Sequence, residues 1–144
     1  MPEQTPSRAA TMWRLRNDSS GLTAPRVLIR VFRDPGTLED GIAFYERLQG
    51  TAADGRLSFG ALRLAMVGAF LLIEGDAEAL RPYRATTGTL LVDDVRPYHD
   101  RLVADGAQIV HPLRDVPTGA GFSARFPDGT VVEFVHHRPT PAGD

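Results

Sequence analysis

One order of segments occurs twice in this chain: a β-rich run, an amphipathic stretch, then three short β-rich runs. The first copy spans residues 26–75 and the second 86–137. In the first, "RVLIRVF" (26–32) reads as a strand. "LEDGIAFYERLQG" (38–50) places Leu38, Ile42, Tyr45 and Leu48 at helical spacing, with Gly50 as the stop. "RLSFGALRLAMVGAFLLIEGD" (56–76) divides at its glycines into strands over 56–59, 62–67 and 69–74. In the second copy "TGTLLV" (87–92) is a strand, and "DDVRPYHDRLVADG" (93–106) is a helix with Val95, Tyr98 and Leu102 on one face. Strands follow over 107–113, 121–126 and 130–137. Laying "VFRD" on "LVDD" and "GAFLLIEG" on "GTVVEFVH" brings the halves into register. Such a duplication decides the architecture before any single residue does.

A βαβββ unit covers one face of its sheet with its own helix and must bury the other face elsewhere. Two units set edge to edge curl their free faces into a trough. The expected fold is therefore α+β: two βαβββ repeats forming a curved mixed sheet around a concave, mostly apolar pocket. The domain is expected over 25–138, with polar tails at 1–24 and 139–144. Within the first tail "TMWRLR" (11–16) offers Trp13 and Leu15 for local docking or for closing over a ligand. "AEALRPYRA" (77–85) reads as a linker and "PTGAG" (117–121) as a flexible loop. Thr37 with Asp40 three residues on marks the start of the first helix, and Asp93 and Asp94 suit the N-terminus of the second.

Composition narrows the chemistry. The 144 residues include no cysteine, which excludes disulfides, thiolate chemistry and sulfur-ligated zinc. All 16 basic residues are arginine, so Schiff-base lysine chemistry is excluded as well. A net charge of -2 gives no footprint for nucleic acid or an anionic membrane. Neither a signal-like segment nor an apolar run of spanning length is present, which places the expectation in the cytoplasm.

Three stretches carry a resemblance to a known family. "GIAFYERLQG", "LLVDDVRPYHDRLVADGAQIVHP" and "FPDGTVVEF" resemble the first helix, the second strand and helix, and the closing hairpin of the vicinal oxygen chelate superfamily. That superfamily includes glyoxalase, bleomycin-resistance proteins, fosfomycin-resistance enzymes and extradiol dioxygenases, and the resemblance covers about residues 26–137. It implies a homodimer. In metal-using members it implies four inward donors, on the first and last strands of each repeat, holding one divalent ion. Those positions fall here on Val27, Leu72, Thr87 and Glu133, of which only Glu133 carries an expected donor. The resemblance is thus to the metal-free antibiotic-binding branch, with no metal and no cofactor expected.

Glu133 remains to be explained, because a carboxylate within "TVVEFVHH" must find a partner or lose its charge. It reads as a residue satisfied by an arginine, a backbone donor or water, as a polar anchor for a ligand, or as a metal ligand or catalytic base. The family register sends Arg30 toward the helix; a one-residue slip sends it into the trough, where it can pair with Glu133. Trough walls are expected from Val27, Ile29 and Arg30, from Phe70, Leu72 and Glu74, from Thr87, Thr89 and Leu91, and from Val131, Glu133 and Val135, with His111 at the rim. His136 and His137 read as a solvated strand end, and His99 as exposed beside Asp100. The leading expectation is binding and sequestration of a hydrophobic, aromatic natural product without chemistry, as in drug self-resistance. The rival is a biosynthetic isomerase, cyclase or lyase with Glu133 as base, and a third reading is a metal-dependent dioxygenase or glyoxalase-like enzyme using unexpected ligands.

Overall fold

A computed structural model describes residues 18–116 and 118–138; the "TMWRLR" segment with Trp13 lies outside them. The elements run β1 (Arg26–Arg33), α1 (Leu38–Gln49), β2 (Gly55–Phe59), β3 (Leu62–Val67), β4 (Phe70–Glu74), α2 (Ala77–Leu80), a 3-10 turn (Arg81–Tyr83), β5 (Gly88–Leu91), α3 (Val95–Ala104), β6 (Gln108–Val116), β7 (Gly119–Arg125) and β8 (Val131–His137). One eight-stranded sheet has the order β2-β3-β4-β1-β5-β8-β7-β6. β1 and β5, the first strands of the two repeats, pair antiparallel at the centre. Each pairs in parallel with the last strand of its own repeat, β4 or β8. The duplication is thereby visible as two βαβββ halves of one curved mixed sheet.

The helices cover the convex face. Leu38, Ile42 and Tyr45 of α1 pack on Val31, Ala65, Val67, Phe70 and Leu72. Val95, Tyr98 and Leu102 of α3 pack on Leu90, Val92, Val132 and Phe134. A third cluster, with Leu28, Met66, Leu71 and Ile73, belongs to the concave side, where Leu80 and Tyr83 join it. The stretch 77–85, expected as a linker, instead forms α2 and the 3-10 turn and packs across the first repeat, because Leu80 and Tyr83 recur at one-turn spacing.

The helix ends follow ordinary capping chemistry, with one substitution of partner. Gly50 closes α1 in the left-handed region at φ 65°. Asp94 caps α3, accepting the Arg96 N–H at 3.0 Å. Thr37 makes no side-chain cap; its hydroxyl donates to the Asp34 carbonyl instead. Glu74 takes over, accepting the Leu38 N–H at 2.9 Å and pairing with Arg63 at 3.2 Å. Glu74 therefore serves the convex side and is no trough wall.

The expected loop 117–121 is largely strand: β6 runs to Val116 and β7 begins at Gly119. Small residues permit this. A Cβ on Gly119 would lie 2.1 Å from the His136 carbonyl oxygen. Residues 18–22, expected as part of a tail, dock on the end of β8. Buried Ser19 donates its N–H to the His137 carbonyl at 3.1 Å and accepts the His137 N–H at 2.9 Å.

Candidate functional site: a trough centred on Arg30 and Glu133

The concave face of the sheet forms an open trough with about 970 Å³ of empty space, a figure that includes open solvent. The first repeat supplies apolar walls: Leu28 on β1, Leu57 and Phe59 on β2, Leu64 and Met66 on β3, and Leu71 and Ile73 on β4. The second repeat is more polar, contributing Thr89, His111, Arg114, Ser123, Glu133 and His137.

The β1 register decides the centre. Leu28 and Arg30 point into the trough, while Val27 and Ile29 are 61% and 51% exposed on the convex side. The slipped register is the one adopted, and Val27 and Ile29 do not belong to the walls. Strand pairing places Arg30 beside Leu71 and Thr89 beside Glu133. Arg30 Nη2 donates to Glu133 Oε1 at 2.9 Å and Arg30 Nε donates to Thr89 Oγ1 at 3.1 Å. The Thr89 hydroxyl in turn donates to Glu133 Oε1 at 2.9 Å. Within the triangle two guanidinium nitrogens meet two oxygens, and one carboxylate oxygen accepts twice. Glu133 sits in an apolar strand because a cation on the other repeat faces it.

Several expected wall residues lie elsewhere. Phe70 and Leu72 face α1, because the neighbouring Leu71 and Ile73 take the inner side of β4. Thr87 precedes β5 and is exposed. Leu91 and Val131 are buried on the inner side of their strands but outside the lining. Thr89, His111, Glu133 and Val135 do line the trough, and the His111 ring lies 5.7 Å from that of Tyr83.

The two terminal histidines are buried and face opposite ways, as alternation requires. His137 lines the trough. His136 turns to α3, where its Nδ1 accepts the Val95 N–H at 3.0 Å. Burial, with Arg138 nearby, holds the His136 imidazole below its ordinary value, opposed by Asp94 at 3.7 Å. His99 approaches Asp100 at 3.2 Å and sets its ring edge-on to Phe122. Neither Arg114 nor Ser123 was among the candidates from sequence, and only the sheet pairing brings them to the trough.

The residues do not fit a divalent ion. The four central strands present Arg30, Leu71, Thr89 and Glu133: a cation, a hydrocarbon, a hydroxyl and one carboxylate. Hard divalent ions need several oxygen or imidazole donors. The Arg30 guanidinium already lies against the carboxylate such an ion would use. Among the described residues no three His, Asp or Glu side chains converge in a metal-binding group.

This curled sheet of paired modules defines a protein of the glyoxalase type. The chain belongs to the Glyoxalase/Bleomycin resistance protein/Dioxygenase superfamily, whose description matches residues 35–134. It is similar to a crystal structure of an uncharacterized protein from Methanosarcina mazei, at 34% identity and a TM-score of 0.73 over 81% of this chain and 95% of that one. Methylmalonyl-CoA epimerase from Streptomyces coelicolor, in complex with 2-nitronate-propionyl-CoA, shares the fold at 15% identity and a TM-score of 0.55, over 78% of this chain and 96% of that one. A mutant of 4-hydroxymandelate synthase from Streptomyces coelicolor does so at 17% identity and a TM-score of 0.51, covering 81% of this chain but 50% of that one. No curated protein matches the chain in sequence. No helix among the described residues is long and apolar enough to cross a membrane.

Proposed function

We propose that this protein binds and sequesters a hydrophobic, aromatic small molecule in the trough without a metal and without converting it, in the manner of a drug-binding resistance protein. The single observation carrying this reading is the Arg30–Thr89–Glu133 triangle. It sets a cation, Arg30, against the one carboxylate of the described lining and engages Glu133 Oε1 twice, which supports a reading without a metal. Apolar walls of the first repeat supply the affinity. Burying roughly 200 Å² of apolar ligand surface is worth about 5 kcal/mol before the cost of association. Polar groups of the second repeat fix orientation. The expected homodimer is part of the same reading, and the sedimentation mass of the purified chain tests it.

The functional test starts from the purified protein equilibrated with a small-molecule extract of its host cells. Retained compounds are released by denaturation, identified by mass spectrometry and returned to fresh protein. Recovery of the same compound unchanged supports sequestration. Conversion that disappears in Glu133→Gln contradicts it and favours an enzyme with Glu133 as base.

A further inference from the structure

Resting on the reading of the trough as a binding pocket, we propose that its guest is an anionic amphiphile, and that Arg114 is the residue that pairs with the negative charge. β6 is an edge strand, where Pro112 costs no ladder bond to an outer neighbour. Around it the pairing with β7 shifts twice, between Ile109 and His111 and again between His111 and Arg114. His111 pairs with Ser123 and Arg114 with Gly121, so three steps along β6 match two along β7. In a regular strand, residues three apart face opposite sides. The bulge cancels that alternation and brings both His111 and Arg114 to the trough, while Ile109 and Leu113 remain with the core under α3.

The charges of the lining then do not balance. Arg30 and Glu133 neutralise each other at 2.9 Å, leaving Arg114 as the remaining arginine of the lining. Among the described residues Arg114 enters no ion pair; its guanidinium lies over the Phe59 ring, 5.8 Å from the centroid. That contact spans from β6 to β2, the two edges of the sheet, and sets the planar cation at the boundary between the polar and apolar walls. A guanidinium drawn to a ring face by cation–π attraction still has N–H groups for a carboxylate or similar anion, which it can take bidentately. In the same lining, Leu28, Leu64, Met66, Leu71 and Ile73 suit a flat hydrocarbon body. A guest with an aromatic body and an acidic group meets both halves. A cationic guest would face Arg114, while the one carboxylate among the described lining residues, Glu133, is already paired with Arg30.

Three probes with one body and three charges test this: 2-naphthoate, 2-naphthylmethanol and 2-naphthylmethylamine, titrated calorimetrically into wild type and Arg114→Gln at low salt. The expected result is naphthoate binding at least about tenfold tighter than either other probe, a 1.4 kcal/mol preference. In Arg114→Gln that preference should fall below about threefold while the alcohol's affinity stays within threefold, which shows an intact pocket. Equal binding of all three, a preference for the amine, or a naphthoate preference that survives Arg114→Gln overturns the proposal while leaving the binding pocket standing. No binding of any probe to wild type overturns the pocket reading and this proposal together.

Discussion

Arg30 and Glu133 are unequal partners: the arginine side chain keeps 4% of its exposure and the carboxylate 31%. Removing either one strands the other, and the cost depends on which charge stays behind. Glu133→Leu leaves a guanidinium almost fully out of water and should destabilise by about 3–5 kcal/mol. Arg30→Leu leaves a carboxylate that water still reaches, and about 1–3 kcal/mol is expected. The double substitution Arg30→Leu with Glu133→Leu should recover to within about 1 kcal/mol of wild type, since an apolar pair replaces a desolvated one. Urea unfolding of the four proteins checks the cycle; additive losses in the double variant would contradict the pairing.

His136 gives the fold a pH dependence of defined sign. Its neutral Nδ1 accepts the Val95 N–H, and burial depresses its folded value below the ordinary 6.5. The unfolded chain therefore takes up the proton first as pH falls. This contribution is complete above about 6.5 and declines as pH drops through the depressed folded value. Unfolding midpoints at pH 8, 6 and 5 should fall in wild type and fall less in His136→Gln, which has no proton to gain. Parallel slopes would remove His136 as the cause.

Gly119 is fixed by the backbone of the neighbouring strand. With a Cβ 2.1 Å from the His136 carbonyl oxygen, Gly119→Ala must push β7 from β8 and should cost about 2 kcal/mol or more. Thermal unfolding tests this. A neutral effect would mean that the hairpin of β6 and β7 is loosely held.

The repeat, both long helices and eight strands along the chain were legible from the sequence because each follows from local periodicity and glycine punctuation. The failures have physical causes. β1 is apolar on both faces, with Val27, Ile29 and Val31 alternating with Leu28 and Phe32, so pattern alone does not choose a register. The choice is made by Arg30, whose partner lies 103 residues away. β4 reads "FLLIE", buried along most of its length, and gives no inner side by inspection. Arg114 reaches the trough through a bulge, which breaks the alternation that sequence reasoning relies on. His136 and His137 were read as solvated because neither the helix start at Val95 nor the docking of Ser19 is encoded near them.

Arg30 occupies the carboxylate that a divalent ion in the trough would use, and metal titration tests this pairing most directly. Purified wild type and Glu133→Gln are titrated with Mn²⁺, Ni²⁺ and Zn²⁺ by calorimetry, with metal content measured after dialysis. Substoichiometric metal in both proteins, and no heat that depends on Glu133, is the expected result. One tightly held equivalent in wild type, absent from Glu133→Gln, would contradict it.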